Sequence, residues 1–203
     1  MIHYIIPARK GSKGLPGKNK KLFNYTYDTI PKEILGNVIV TSDDIDIINM
    51  SAACRHILRE DNISTDDASI KSVLLDVVKK FELPDDDVIC MLYLTYPGRT
   101  WDDIQKAIDY FYIEQAESLL CRKEVITHPF MCIYNDGSQV IEHNLYRRQD
   151  YPETFEICHY IQICYVSELK KLNNNLYNRS TVYYPIDNVI DIDEEKDLLK
   201  WMK

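Results

Sequence analysis

The sequence lacks the features that mark several large classes of protein. None of its apolar runs approaches the roughly 20 residues that a membrane-spanning helix needs. Its first residues run directly into an apolar segment, without the basic start and long apolar stretch of a secretory signal. Its 24 basic side chains are fewer than its 32 acidic ones, and the net charge of −8 disfavours general binding to nucleic acid. We therefore expect a cytoplasmic protein that binds neither membranes nor nucleic acid.

Cysteine pairs and glycines are also scarce. The six cysteines are spread out with no C-x-x-C pair, so the sequence predicts neither a disulfide framework nor a zinc knuckle. Of only six glycines, three fall within seven residues, at Gly11, Gly14 and Gly17. The basic side chains of this stretch, which has no acid among them, are Arg9, Lys10, Lys13, Lys18, Lys20 and Lys21. The pattern favours binding of a small, highly charged anion.

Strand-like and helix-like segments alternate over the first 120 residues. Runs of β-branched and aromatic residues predict strands at 3–7, 37–41, 87–94, 118–121, 130–134, 160–166 and 181–186. Apolar residues at helical spacing predict helices at 70–81 and 104–111, and a third helix is predicted at 44–56. Because parallel strands need long crossovers, which are usually helical, this alternation predicts an α/β fold with a parallel sheet flanked by helices.

The pattern changes after residue 120. Asn135-Asp136-Gly137 lies between two apolar stretches and predicts a hairpin turn. We therefore expect a small antiparallel β excursion at about 125–165, which serves either as a lid or as a dimer contact. No internal repeat and no linker rich in proline, glycine or serine divides the sequence, so we expect a single domain over residues 1–203.

The basic stretch directly follows the first predicted strand. From Ile5 to Asn19 the sequence reads I-I-P-A-R-K-G-S-K-G-L-P-G-K-N. Glycine lets backbone N–H groups turn toward an anion while lysine and arginine supply positive charge, so the segment has the parts of a triphosphate cradle. It matches neither the Walker A motif nor the Gly-x-Gly-x-x-Gly of dinucleotide folds. From the residues alone, a solvated basic turn is the other interpretation.

A second charged motif lies near the end of the sequence. Asp191 and Asp193 are two residues apart in a short extended segment before a predicted helix. Alternate residues of an extended segment point the same way, so the two carboxylates are candidates to bind one hard cation. Mg²⁺ usually takes only one or two carboxylates together with phosphate oxygens. The competing interpretation is an N-terminal capping box formed by Asp191 and Glu194.

The basic segment resembles the N-terminal signature of the CMP-sialic acid synthetases, or acylneuraminate cytidylyltransferases, which is close to I-P-A-R-x-G-S-K-G-x-P-x-K-N. Further similar motifs follow in the same order along nearly the whole chain. Residues 41–44 resemble S-T-D-D, 65–69 resemble S-D-T-A-S, 92–100 resemble L-Q-P-T-S-P-L-R-T, and 191–198 match D-I-D-x-x-x-D-L. His128-Pro129 and residues 148–152 also have counterparts.

The resemblance implies a three-layer α/β/α fold of the nucleotide-diphospho-sugar transferase type. It also implies the reaction that the chain would catalyse. CMP would pass from CTP to the anomeric hydroxyl of a nonulosonic (sialic-acid-like) sugar acid, with release of pyrophosphate. Mg²⁺ would be held by Asp191 and Asp193, and Arg9, Lys18 and Asp193 would be catalytic. The implied nucleotide-binding residues are Ala8, Arg9, Ser12, Lys13, Lys18, Asn19, Arg59 and Ser69. The resemblance further implies a homodimer formed through the excursion.

The chain departs from the family's pattern in the part that reads the sugar. Tyr93 replaces the glutamine of L-Q-P-T-S-P, Leu94 and Tyr96 replace the following proline and serine, and Cys158-His159 replace an Asn-Gly. The candidate sugar contacts are Tyr93, Lys123 and Arg148, with Arg147 as a further cation for the carboxylate. The acceptor therefore stays open. The alternatives are CMP activation of 3-deoxy-manno-octulosonic acid or its 8-amino analogue, a nucleotide-binding relative without turnover, and a nucleotidyltransferase that acts on a sugar phosphate.

Overall fold

The computed structural model describes residues 1–65, 67–187 and 189–203. The strands are β1 (Ile2–Ala8), β2 (Val38–Ser42), β3 (Arg55–Leu58), β4 (Val88–Met91), β5 (Ser118–Glu124), β6 (Phe155–Tyr165) and β7 (Val182–Pro185). The α-helices are α1 (Lys18–Tyr27), α2 (Ile45–Met50), α3 (Ile70–Phe81), α4 (Trp101–Ile113) and α5 (Glu195–Trp201). The longest of these described helices, α4, has 13 residues, and none has the length and apolar character needed to cross a membrane.

The seven strands form one sheet in the order β3-β2-β1-β4-β6-β5-β7. β1 pairs in parallel with β2 and β4, β2 with β3, and β5 with β7. β6 is antiparallel to both of its neighbours, so it alone among the described strands runs against the rest. The prediction of a mostly parallel sheet is confirmed, and the carboxyl ends of six strands lie along one edge.

Helices cover both faces of this sheet because the central strands are apolar on both sides. Ile6 and Val40 face one layer, where they pack with Phe23 of α1 and Phe111 of α4. Ile5, Ile39 and Met91 face the other layer, where they pack with Leu74 and Val77 of α3. The architecture is therefore the three-layer arrangement that was expected.

The helices at 70–81 and 104–111 were predicted correctly. Each has a side-chain cap that fixes its start at the carboxyl edge of the sheet: Ser69 accepts from the N–H of Ser72 at 3.1 Å, and Thr100 and Asp103 form a capping box. Burial alone would raise the pKa of Asp103. The hydrogen bonds that its carboxylate accepts from Thr100 and from the Tyr160 hydroxyl outweigh burial and hold that pKa below its ordinary value.

Three local predictions need correction. The helix predicted at 44–56 ends at Met50, because residues 55–58 form the edge strand β3, in which only Ile57 is buried. α1 was not predicted, since it begins with lysines and has no side-chain hydrogen bond at its N-cap, Gly17, whose φ is +68°. The strand predicted at 130–134 is wrong: Pro129–Met131 is a 3₁₀ turn, and an isolated bridge joins Ile133 to Gln139.

The excursion predicted at about 125–165 divides into two parts. Its last residues form β6, a central strand of the main sheet. The remainder, residues 125–154, which we call the arm, is largely exposed. The predicted turn is present, with Gly137 at φ +86° and the Gly137 N–H donating to the Tyr134 carbonyl at 3.0 Å.

Candidate active site

A cavity of about 290 Å³ lies at the carboxyl edge of the sheet, beside the start of α3. Ligands of open α/β sheets usually bind in such a crevice, outside the carboxyl ends of the strands. The lining residues include Arg9, Gly11 and Ser12 from the loop after β1, Lys18 and Asn19 from the start of α1, Arg59 after β3, and Tyr93, Leu94 and Thr95 after β4. The basic loop therefore faces a cavity, as the cradle interpretation requires.

Hydrogen bonds fix the base of this loop. The Asn19 side-chain amide donates to the carbonyl of Arg9 at 2.8 Å, and the Lys10 N–H donates to Asp43 Oδ1 at 2.7 Å. The Ser42 hydroxyl donates to the carbonyl of Ala8 at 2.5 Å. The segment 41–44, which resembles S-T-D-D, thus holds the start of the loop in place, and Asn19 joins the end of the loop to that start.

The loop contacts the acidic segment at the other end of the chain. The Lys18 ammonium donates to Asp193 Oδ1 at 2.8 Å across 175 residues of sequence. At Gly14 the two backbones approach so closely that an added Cβ would lie 2.5 Å from the carbonyl oxygen of Asp193. The two charged motifs therefore form one site, and Gly14 is needed for the close approach.

Asp191 lies deeper than Asp193 and is held by an aromatic hydroxyl. The Tyr96 hydroxyl donates to Asp191 Oδ2 at 2.7 Å, and the Cys158 thiol donates to the Tyr96 oxygen at 3.6 Å. Burial and the Asp191 carboxylate raise the pKa of Tyr96, so its phenol keeps its proton. The Ile192 N–H donates to the carbonyl of Thr95 at 2.8 Å, which ties the acidic segment to the end of β4.

These carboxylates fit a hard divalent cation. Asp191 Oδ1 is buried and has no hydrogen-bond partner among the described residues, so it is an acceptor in need of a ligand. A hard divalent cation held by two carboxylates usually takes its other ligands from phosphate and water. The capping box of α5 is formed by Glu194 and Asp197, so the capping interpretation of Asp191 is wrong.

The predicted nucleotide-binding residues fall into two groups. Five of them line the cavity: Arg9, Ser12, Lys18, Asn19 and Arg59. Ala8 is buried beneath the loop, Lys13 lies on the loop outside the cavity lining, and Ser69 caps α3 between two residues that do line the cavity. Asp66, in the segment that resembles S-D-T-A-S, lies outside the described residues.

Arg59 is the buried cation of the cavity. Its Nε and Nη2 atoms are buried and have no hydrogen-bond partner among the residues that the structure describes. Burial lowers the pKa of the guanidinium, and the nearby Asp43 carboxylate opposes that effect. A buried guanidinium with unsatisfied donors is suited to bind an anion or a carbonyl group of a ligand.

The three candidate sugar contacts are dispersed. Tyr93 lines the cavity, whereas Lys123 lines a second cavity of about 880 Å³ beside α4 and forms an ion pair with Glu156 at 3.3 Å. Arg148 lies in the arm, exposed, and lines neither cavity; its neighbour Arg147 pairs with Asp150 at 2.7 Å.

The residues that depart from the family's pattern lie together around Asp191. The register of β5 and β6 shifts so that Leu120 pairs with Gln162 but Cys121 pairs with Cys158, and residues 159–161 bulge from β6. The His159 ring lies edge-on to Tyr93, with centroids 5.7 Å apart. Burial lowers the pKa of His159, and the Asp191 carboxylate opposes that effect. Partial burial, and secondly the Asp191 carboxylate, raise the pKa of Tyr93.

Sequence reasoning assigned no role to Tyr96, Cys158 or His159. The available signal was that their positions coincide with the departures from the family's motifs. It also missed Arg99, which is fully buried and donates to the carbonyls of Tyr160 at 2.6 Å and Tyr93 at 2.9 Å. Burial lowers the pKa of Arg99 to about 10.

Comparison with known proteins finds relatives of similar sequence. A cytidylyltransferase family model matches residues 3–128. The chain is 29% identical over 169 residues to the pseudaminic acid cytidylyltransferase of Campylobacter jejuni, covering 74% of this chain and 72% of that one. It is 30% identical over 162 residues to the N-acylneuraminate cytidylyltransferase of Streptococcus agalactiae, covering 72% of this chain but only 39% of that longer protein. It is 25% identical over 185 residues to the CMP-N,N'-diacetyllegionaminic acid synthase of Legionella pneumophila, covering 85% and 75%.

Solved structures share the fold at low sequence identity. A CMP:2-keto-3-deoxy-manno-octonic acid synthetase complexed with CTP superposes with a TM-score of 0.66 at 14% identity, covering 98% of this chain and 96% of that one. The 4-diphosphocytidyl-2C-methyl-D-erythritol synthase of Anaerococcus prevotii has a TM-score of 0.65 at 16% identity, covering 98% and 95%. These likenesses confirm the predicted fold class.

Proposed function

The chain belongs to the cytidylyltransferase family, and from that premise we propose that it transfers CMP from CTP to the anomeric hydroxyl of a nonulosonic (sialic-acid-like) sugar acid. The observation that supports this most directly is the 2.8 Å contact between Lys18 and Asp193, which joins the cationic loop to the acidic pair. The relatives named for pseudaminic, N-acylneuraminic and legionaminic acids support the choice of sugar, since all three acids belong to this class.

In the proposed reaction the anomeric oxygen bonds to the α-phosphorus of CTP as the bond to pyrophosphate breaks. The reacting group already has several negative charges, so the protein's contribution is alignment and charge neutralisation. Arg9 and Lys18 line the cavity and would neutralise phosphate charge during transfer. The unpartnered nitrogens of Arg59 would donate to the nucleotide.

Asp191 and Asp193 would hold Mg²⁺, which supplies Lewis-acid polarisation of phosphate oxygens when it is bound. Asp191 would offer its unpartnered Oδ1, and the exposed Asp193 would offer the oxygen that does not accept from Lys18. Lys18 would then bridge between the carboxylate of Asp193 and the triphosphate.

The sugar acid would lie next to Tyr93, which lines the nucleotide cavity and also adjoins His159. Its carboxylate requires a cation, and we keep Lys123 and Arg148 as candidates. Lys123 is the better placed of the two, because it lies in β5 two residues beyond Cys121, which pairs with Cys158, whereas Arg148 lies in the exposed arm. Cys158 in turn contacts Tyr96 beside Asp191.

The test is a pyrophosphate-release assay with Mg²⁺, each of the four NTPs, and a panel of nonulosonic and octulosonic acids. We expect release with CTP and a nonulosonic acid only, and a rate lower by roughly a hundredfold or more from Asp193→Asn protein run in parallel. Release with an octulosonic acid, or with a sugar phosphate, would replace the proposed acceptor. CTP binding without any release would mark a nucleotide-binding protein without turnover.

We also propose that the protein forms a homodimer through the arm. Eight large apolar side chains of the arm are exposed, at Ile126, Met131, Ile133, Tyr134, Val140, Ile141, Leu145 and Tyr146. The exposed fractions of Ile126 and Tyr146 are 92% and 87%. Exposed apolar side chains concentrated in one segment are typical of a protein–protein contact. Light scattering should give twice the chain mass, and Ile126→Glu with Tyr146→Glu should give the monomer. A monomer in the unmodified protein would contradict the proposal.

Because CTP is a cytoplasmic nucleotide, we expect the reaction to take place in the cytoplasm.

A further inference from the structure

The carboxylate of Asp191 is hydrogen-bonded on one side only. Its Oδ2 accepts from the Tyr96 hydroxyl at 2.7 Å, while its Oδ1 is buried and has no partner among the described residues. A buried acceptor without a partner is energetically unfavourable, and a bound ligand that supplies the missing partner removes this cost. The orientation of this carboxylate therefore decides which oxygen is offered to a cation.

The Tyr96 side chain is buried and is held by contacts of its own. Its exposed fraction is 4%, and its ring lies edge-on to Tyr160, with centroids 5.5 Å apart. The Cys158 thiol, at the start of the β6 bulge, donates to the Tyr96 oxygen at 3.6 Å. The phenol thus accepts from one neighbour and donates to another, which fixes the direction of its O–H bond toward Asp191.

We propose, as a step that rests on the proposed function, that Tyr96 is a positioning residue for the metal site. Its hydroxyl holds Oδ2 of Asp191 and so directs Oδ1 toward the divalent cation, and Cys158 holds the hydroxyl. Partners that orient a metal-binding side chain commonly change metal affinity by about 10-fold to 100-fold when they are removed. Tyr96 itself touches neither the cation nor the reacting atoms.

The chain has a matched control for this hydrogen bond. The Tyr160 hydroxyl donates to Asp103 Oδ2 at 2.8 Å, and the exposed fraction of Tyr160 is 5%. This second tyrosine–carboxylate pair has the same chemistry and nearly the same burial, but its carboxylate caps α4. Tyr96→Phe and Tyr160→Phe each remove one such hydrogen bond, so they separate loss of stability from loss of metal affinity.

The experiment titrates the full chain with Mn²⁺ in the presence of CTP and the absence of sugar acid, and measures free Mn²⁺ by electron paramagnetic resonance. We expect Tyr96→Phe to raise the dissociation constant of Mn²⁺ about 10-fold, Cys158→Ala to raise it less, and Tyr160→Phe to leave it within about twofold. Urea unfolding should show similar stability losses in both tyrosine variants. In the pyrophosphate assay, excess Mg²⁺ should restore the rate of Tyr96→Phe but not that of Asp193→Asn.

Asp191→Asn distinguishes failure of this inference from failure of the proposed function. If Asp191→Asn binds Mn²⁺ as tightly as the unmodified protein, the metal site itself is misplaced. If Asp191→Asn weakens binding while Tyr96→Phe does not, the site stands and the role of Tyr96 is refuted. Equal weakening by Tyr96→Phe and Tyr160→Phe would also refute it, because the effect would then follow stability. Cys158→Ala repeats the test in a variant that keeps both tyrosines.

Discussion

Gly14→Ala should inactivate the protein with little loss of fold. A Cβ at this position would lie 2.5 Å from the carbonyl oxygen of Asp193, about 1 Å short of ordinary van der Waals contact. The Cβ is fixed to the backbone of the loop and the oxygen belongs to the backbone of the acidic segment, so neither can rotate away. The loop and the acidic segment must therefore separate. That separation breaks the 2.8 Å contact between Lys18 and Asp193.

A displacement of about 1 Å in a catalytic site costs on the order of a hundredfold in rate, or about 2.7 kcal/mol of barrier. We expect that loss in pyrophosphate release at saturating CTP. The matched control is Gly36→Ala, which lies outside the site: an added Cβ there meets nothing within 4 Å, and Gly36 is not among the glycines with positive φ. Its activity should stay within about threefold of the unmodified protein.

Urea unfolding completes the test by measuring the loss of stability. Overpacking in a core commonly costs about 1–3 kcal/mol, and a contact at the surface should cost less. We expect less than about 1 kcal/mol for Gly14→Ala. Two results would refute the reasoning. One is near-normal turnover of Gly14→Ala. The other is equal inactivation by Gly36→Ala, which would attribute the effect to replacement of a glycine in general and not to contact with Asp193.

Further predictions concern charge in the site and the core. Arg9→Ala and Asp193→Asn should each reduce turnover roughly a hundredfold or more with unchanged circular dichroism, and near-normal pyrophosphate release from either would remove its assigned role. Arg99→Met should lower the free energy of unfolding by about 2–4 kcal/mol, because two buried carbonyl groups lose a charged donor, whereas exposed Arg179→Met should change it by less than about 0.5 kcal/mol. The depressed pKa of Asp103 stabilises the fold above the unfolded-state pKa of about 4, and this contribution is lost as the pH falls through the lower folded-state value. The difference in unfolding free energy between the unmodified protein and Asp103→Asn should therefore be largest near pH 7 and shrink below pH 4, and a difference that is constant from pH 7 to pH 3 would contradict the assignment.

The central strands and the two long helices were predictable from sequence because their patterns are strong. β1, β2 and β4 are apolar on both faces, and α3 and α4 repeat apolar residues at helical spacing. β3 was missed because only Ile57 of its four residues is buried, so the edge strand has no clear apolar pattern. α1 was missed because its amphipathic pattern is weak and its start coincides with the basic loop.

The candidate site was predictable in its two halves but not in its connections. Glycine and lysine spacing marked the loop as a candidate, carboxylate spacing marked Asp191 and Asp193, and the family resemblance favoured binding over a basic turn and a helix cap. The Tyr96–Asp191 bond was not accessible from sequence, because 95 residues separate the partners and a buried tyrosine has the same pattern as any core residue. The bulge at residues 159–161 was hidden too, since it arises from the registers of two neighbouring strands.

The contact between Lys18 and Asp193 has a kinetic consequence. It joins segments from opposite ends of the chain, so closing it requires a loop of 175 residues, whereas most of the sheet pairs strands that are nearer in sequence. Recovery of enzymatic rate during refolding should therefore lag behind recovery of circular dichroism. A ribosome-bound chain of which only the amino-terminal half has emerged would already expose the basic loop, but the acidic segment that completes the site would not yet be available.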